Sequence, residues 1–388
     1  MRLRSLAVAL SVGILGFGFP DVRADPPFRY PEGRCGAACL KYIHGIPVLT
    51  VEGDPEQIGR AIGRLALGPG RRMARYPEDL LREYRLGWLR DPLIGVGERM
   101  LQRFPRDYRT ELEASYEAAD VPHDLAVLNN TFYDIKKTVL CSGLLACGER
   151  SSTGGPLLGR NLEYPPLGYA QDYSLVTIYR AQGKKHAFAL VGFPGTVGCL
   201  SGMNDAGLAV AVMEVYQVKQ GEKQLDLHGT PFALCFRRLL EECSTIEDAR
   251  ARLEGMNRAG LNNLAVADRE GIAVFEISPE HVVVRRPRQG ALACTNHFLS
   301  LALRPATTAN LFQTLDHYAS LHEVVSRRKQ LGPAELQAAL DAVCDPEMTL
   351  QTMVFEPRTL RLHLAIGTVP SSATVMKVLD LSDHLRPQ

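Results

Sequence analysis

The sequence has almost no imbalance of charge. Its 388 residues carry 44 Lys and Arg against 43 Asp and Glu, a formal net of +1. Without a basic excess there is no electrostatic footprint for nucleic acid or for an anionic membrane surface. A single Trp argues against aromatic cages and against the belts that mark membrane interfaces. Beyond Phe19 no apolar run approaches the ~20 residues a helix needs to cross a bilayer. The common catalytic signatures are also missing. There is no GxxxxGK[ST], no HExxH, no GxSxG, and no GxGxxG between a strand and a helix. These gaps exclude the most recognisable nucleotide, zinc-protease and serine-hydrolase readings. No internal repeat or low-complexity tract is present, and 46% hydrophobic with 22% charged residues is the composition of a folded chain.

What is present begins with a targeting signal. Arg2 and Arg4 precede an apolar run from Leu6 to Phe19, and Val22-Arg23-Ala24 fits a small-x-small cleavage site. The run is too short for a membrane anchor, the competing reading. Residues 1–24 are therefore expected to be a signal peptide, and the protein to be secreted or periplasmic. Nine cysteines, an odd number, leave at least one thiol unpaired in an exported chain. Cys35 and Cys39 lack the spacing of a zinc knuckle and no matching Cys/His pair follows, so neither a metal nor another cofactor is expected.

Residues 54 to 136 have helical periodicity. Asp54-Pro55 supplies a cap and a first-turn proline, and amphipathic spacing recurs over Met100–Ala118 and Asp124–Ile135. From Thr138 the character changes to short apolar runs between Gly and Pro turns. Strands are predicted at Ser142–Cys147, Leu157–Arg160, Leu175–Arg180, Ala187–Val191, Leu208–Met213, Asn263–Ala267, Ile272–Ile277 and Val282–Arg285, with a closing hairpin of Thr349–Phe355 and Arg361–Ile366. Helices are predicted from Thr230-Pro231 to Glu242, after a Ser244/Glu247 capping box, and over 307–330 and 334–343. Helices grouped apart from runs of strands indicate an α+β fold.

The chemistry concentrates at Thr138-Val139-Leu140-Cys141-Ser142-Gly143, where a Cys opens the first strand of the sheet region. A nucleophilic Cys needs a base, a positioning charge and oxyanion donors. Polar groups stand at turns or strand ends in Gly159-Arg160-Asn161-Leu162-Glu163, Met203-Asn204-Asp205, Asn262-Asn263 and Thr295-Asn296-His297. Together with Gly53-Asp54-Pro55-Glu56-Gln57-Ile58-Gly59, Leu125-Ala126-Val127-Leu128-Asn129 and the stretch from Thr349 to Gly367, these segments resemble in order and spacing the cysteine N-terminal-nucleophile (Ntn) hydrolases. The similarity is greatest to the acyl-CoA:6-aminopenicillanate acyltransferase type, whose relatives include choloylglycine hydrolase, penicillin V acylase and acid ceramidase.

The resemblance implies a four-layer αββα sandwich with a helical N-terminal segment. Residues 25–140 would form that segment and 141–388 the catalytic domain, separated by self-cleavage and retained as a heterodimer. It implies attack on a small-molecule N-acyl amide by the Cys141 thiol, with the Cys141 α-amine as base. Arg160 would orient the nucleophile, Glu163 would stand for the family Asp that accepts from the amine, Asn263 would supply the oxyanion amide, and Asn204 would add a group nearby.

Other readings remain open on the residues alone. Cys147 competes as nucleophile, and Asn262 competes with its neighbour Asn263. His297 lies in the chain order of a papain-like Cys…His pair, although the papain signature is absent. Glu163 in place of Asp also allows a non-catalytic binding protein of the same fold. The Arg285-Arg286 and Arg327-Arg328 pairs read as solvated surface.

Overall fold

The structure, a computed structural model, describes residues 26–135, 140–180, 183–327 and 329–385. The expected signal peptide, residues 1–24, lies outside them.

Two sheets make the core. The larger has ten strands in the order β1 (Gly33–Cys35), β2 (Ala38–Ile43), β3 (Ile46–Val51), β6 (Leu175–Tyr179), β7 (Phe188–Gly192), β8 (Ser201–Asn204), β9 (Ala209–Glu214), β10 (Asn262–Ala267), β11 (Ile272–Ile277) and β12 (Val282–Arg285). The smaller has six, ordered β13 (Ala291–Cys294), β4 (Leu140–Ala146), β5 (Leu157–Glu163), β14 (Thr349–Glu356), β15 (Arg361–Ile366) and β16 (Lys377–Asp380). Neighbours are antiparallel except for the parallel β3–β6 pair. Strands β4 and β5 face β9 and β10 across the interior. Helices Phe232–Glu242 and Ile246–Glu254 cover the outer side of the large sheet, and Thr314–Ser326 and Pro333–Asp341 the outer side of the small one. The result is the expected αββα sandwich. Strands β4, β5, β9, β10, β11 and β14 are buried along their whole length, their polar residues included, so none shows an in–out alternation.

The N-terminal segment departs from a purely helical expectation. Its residues 33–51 form three strands, and β3 joins the large sheet against β6. The signal was there in Ile43-His44-Gly45-Ile46, where His44 and Gly45 take positive φ of 51° and 79° in a hairpin turn. The Asp54 cap is present as a full capping box with Gln57. The second box sits one residue later than expected, on Thr245 and Asp248. The predicted helix at 307–330 is shorter, Thr314–Ser326.

Helix Pro55–Ile62 lies so close to helix Arg106–Ala118 that a Cβ on Gly59 would collide with the Glu111 carbonyl. A buried ionic cluster then joins the N-terminal segment to the rest. Arg237 pairs with Glu111 at 2.6 Å and with Glu241 at 3.0 Å. The Tyr179 hydroxyl donates to Glu111 and the Tyr108 hydroxyl to Glu241, both at 2.9 Å. Removing the cation leaves the buried Glu111 without its ion-pair partner, while Glu241 keeps Lys185 at 2.8 Å. Arg237→Met is expected to cost about 3–5 kcal/mol of stability, read by chemical denaturation. No helix of the described residues is long and apolar enough to cross a membrane.

Candidate active site

Strands β4 and β5 bring Cys141 and Arg160 together. Their register sets Cys141 against Leu162 and Gly143 against Arg160, so Cys141 and Arg160 project on the same face, into the space between the sheets. The Met213 methyl from the opposite sheet packs directly onto Gly143, where a Cβ would have to push it aside. The Arg160 guanidinium is fully buried. One of its terminal nitrogens, Nη2, lies 2.9 Å from Cys141 Sγ and also donates to the Val212 carbonyl at 2.9 Å. Its Nη1 donates to Ser201 Oγ and to the Leu200 carbonyl, which anchors the side chain on β8 and β9. None of its hydrogen-bond partners among the described residues is a carboxylate. A thiolate at Cys141 would be its counter-charge in direct contact. In this unbroken chain burial pushes the Cys141 thiol up to about 11, against the downward pull of Arg160.

The Cys141 backbone nitrogen, which cleavage would convert to an α-amine, donates to Asn296 Oδ1 at 2.9 Å. Asn296 Nδ2 in turn donates to the Glu214 carbonyl at 2.8 Å. Asn296 stands 155 residues after Cys141. It arrives because β13 pairs with β4, Cys294 opposite Gly143, and the chain turns inward directly after that strand. The sequence marked Thr295-Asn296-His297 as polar but assigned Asn296 no role. Glu214 was also missed. It ends β9, is buried, and its charge helps to raise the Cys141 thiol.

Three expected site residues are placed differently. Glu163 is three residues from Arg160 on one strand, an odd spacing that sends the two side chains to opposite faces. Its Oε1 accepts from the Asp345 amide at 3.0 Å and from Thr349 Oγ1 at 3.2 Å, while Oε2 is buried without a hydrogen-bond partner. It reaches Cys141 through its field and makes no hydrogen bond to the Cys141 nitrogen. Asn263 Nδ2 is committed to the Thr295 and His297 carbonyls, at 2.9 and 2.8 Å, which leaves that nitrogen no hydrogen for an oxyanion. The alternative, Asn262, is equally buried and neither of its amide atoms has a hydrogen-bond partner. Asn204 is structural: it donates to the Leu240 and Cys243 carbonyls and accepts from the Leu208 amide, tying the β8–β9 turn to the outer helix.

The competitors fare worse in geometry. Cys147 follows β4 at the far end of the strand, and its nitrogen donates to the Gly290 carbonyl. His297 Nδ1 lies between the Thr295 and Thr314 hydroxyls, at 3.1 and 3.0 Å, and burial lowers its pKa to about 4. The buried Tyr164, one residue after β5, sits among aromatic rings, with Tyr76 and Tyr133 stacked on it at 4.8 and 5.7 Å.

Burial raises the Glu163 carboxyl from 4.5 to about 7. A carboxyl whose pKa is raised on folding favours the folded state below its unfolded pKa, and that advantage disappears as pH climbs through the folded value. The stability of the protein should therefore fall between about pH 4.5 and 7, by on the order of 3 kcal/mol from this group. Glu163→Gln, which can keep both Oε1 bonds, should remove that part of the fall. Urea unfolding of the two proteins across this range, each carrying Cys141→Ala, reads the difference directly.

Several known proteins are similar to this chain in sequence or in structure. A protein of Archaeoglobus fulgidus described only as uncharacterized is 24% identical over 328 residues, covering 73% of this chain and 51% of that one. The chain thus spans about half the length of the curated relative it matches. Among solved structures, a variant of the conjugated bile acid hydrolase from Clostridium perfringens superimposes with a TM-score of 0.45 at 13% identity, over 63% of this chain and 93% of that one. The Caenorhabditis elegans ortholog of N-acylethanolamine-hydrolyzing acid amidase gives 0.44 at 14%, over 62% and 100%. Penicillin V acylase from Agrobacterium tumefaciens gives 0.41 at 16%, over 63% and 89%. Residues 150–368, more than half of the chain, match the family described as acyl-coenzyme A:6-aminopenicillanic acid acyl-transferase. The chain therefore belongs to that family.

Proposed function

We propose that the chain is an exported, self-processing cysteine amidohydrolase or acyltransferase that cleaves the carbon–nitrogen bond of an N-acyl amide. The observation that carries this reading is the contact of Cys141 Sγ with the buried Arg160, beside an Asn296 amide that holds the Cys141 nitrogen. In processing, the Cys141 thiol adds to the Leu140 carbonyl and the acyl group moves from nitrogen to sulfur. Water then hydrolyses the thioester, releasing the Leu140 carboxylate and the Cys141 α-amine. The N-terminal segment stays docked through its strands and the Arg237 cluster.

In turnover the α-amine takes the thiol proton, and the thiolate is stabilised by Arg160 as it attacks the substrate carbonyl. The resulting ammonium returns the proton to the leaving amine. An acyl-thioester remains on Cys141 until water, or an amine in acyl transfer, attacks it and restores the thiol. The amine has an ordinary pKa of ~7.7–8.0 and must be neutral to act. Residues 1–24 would serve as the secretory leader.

The test is a pH–rate profile on a panel of N-acyl amides. His297→Gln is expected to leave the acidic limb of kcat/KM in place, because the histidine has no part in this chemistry. A limb that vanishes in that variant would assign the base to the imidazole and favour a papain-like protease. Absence of turnover on every amide, by correctly processed protein, would favour a binding protein of the same fold.

A further inference from the structure

At the edge of the small sheet lies a groove of about 640 Å³, within the range of small-ligand sites. It runs between β12, the outer edge of β13 and helix Thr314–Ser326. Three guanidiniums line it, Arg285, Arg286 and Arg288, and no Asp or Glu is among its described lining residues. The sequence reading of the Arg285-Arg286 pair as solvated surface holds for the exposed Arg286 and not for Arg285. The Arg285 side chain is only 16% exposed, pairs with the buried Glu276 at 2.8 Å, and caps the β13 edge by donating to the Ala293 carbonyl.

The charges leave a residue of one. Arg285 is matched by Glu276 and Arg286 by Glu247, both carboxylates lying outside the groove lining. Arg288 has no hydrogen-bond or ion-pair partner among the described residues. The opposite wall is a stacked pair, Tyr318 on His322, with ring centroids 5.6 Å apart and planes 12° apart. Leu292 and Val325 add apolar surface. One uncompensated guanidinium beside an aromatic and aliphatic wall suits a ligand of matching build.

From this we propose that the groove is a binding site for a monoanionic amphiphile, a carboxylate on an apolar body, held by Arg288 with Arg286 and packed against Tyr318 and His322. It is separate from the Cys141 cleft. The groove residues Ala291–Ala293 pair with Leu144–Ala146, three to five positions beyond Cys141, or about 10–17 Å along the strand. Arg288 itself is exposed, so an anion reaches it from solvent.

The experiment titrates the purified full-length protein with sodium decanoate by calorimetry. Wild type is expected to bind one equivalent saturably, and Cys141→Ala to bind equally well because the nucleophile is not involved. Arg286→Glu combined with Arg288→Glu should weaken binding by at least about tenfold, whereas Arg288→Lys, which keeps the charge, should hold most of it. Decyltrimethylammonium, of the same chain length and opposite charge, should not bind. Absence of saturable decanoate binding overturns the proposal, as does binding that the charge reversals leave unchanged. Equal binding of the cationic amphiphile also overturns it, since only the apolar wall would then be at work.

Discussion

Cys141→Ala is expected to yield one uncut chain and no detectable turnover. In the proposed mechanism both losses have one cause, because the same sulfur would attack the Leu140 carbonyl during processing and the substrate carbonyl afterwards. Loss of a nucleophile that acts as a unit with its base removes on the order of 10⁴-fold or more of the rate. Cys141→Ser separates the two steps: a hydroxyl attacks the same carbonyl but is the poorer nucleophile at neutral pH, so slow processing with little turnover is expected. Electrophoresis and an amidase assay on the same preparations read both steps. A fully cut, active Cys141→Ala protein that fails only when Cys147 is changed would move the nucleophile six residues along.

Arg160→Met should have the next largest effect. The guanidinium is buried, lies 2.9 Å from Sγ, and is the cation in hydrogen-bond contact with the thiol. Without it nothing offsets the burial that already raises the thiol. A fall of about 10²–10³-fold in kcat is expected, with a smaller change in KM. The thiol should also react more slowly with iodoacetamide at neutral pH, since less of it is thiolate. Arg160→Lys keeps the charge but not the fork that also grips Ser201 and Val212, so partial recovery of both readouts is expected. Equal losses in the Met and Lys variants, with alkylation unchanged, would make Arg160 a packing residue only.

The fold was legible where a strand is dominated by β-branched and other apolar residues, as in Ile272–Ile277 and the short edge strand Val282–Arg285, both predicted with their observed bounds. Two other short strands were not. Residues Ser201–Asn204 and Ala291–Cys294 carry four residues each, too few to display a period, and only pairing with β7, β9 and β4 makes them strands. The meeting of Cys141 and Arg160 could be anticipated because they lie on consecutive, paired strands. Asn296 could not, since its approach depends on a pairing between segments some 150 residues apart, which no local pattern encodes.

Glu163 makes no hydrogen bond to the Cys141 nitrogen, for a reason that was available in the sequence. Three residues along a strand is an odd step, and odd steps change faces. Asn263 and Asn262 differ by the same parity, so neighbouring identical residues have unlike fates: one amide nitrogen ties down the chain after β13, and the other amide is buried without a partner. Asn204 shows a further limit. Its turn signal was read correctly, but a turn residue whose donors are taken up by helix carbonyls has none to offer a substrate.

The most direct measurement is N-terminal sequencing, with intact mass, of the purified wild-type protein. The account predicts two associated chains, the second beginning at Cys141. A single chain that crosses the Leu140–Cys141 junction and still cleaves an N-acyl amide would contradict it, because the amine proposed as the base would then be a peptide nitrogen.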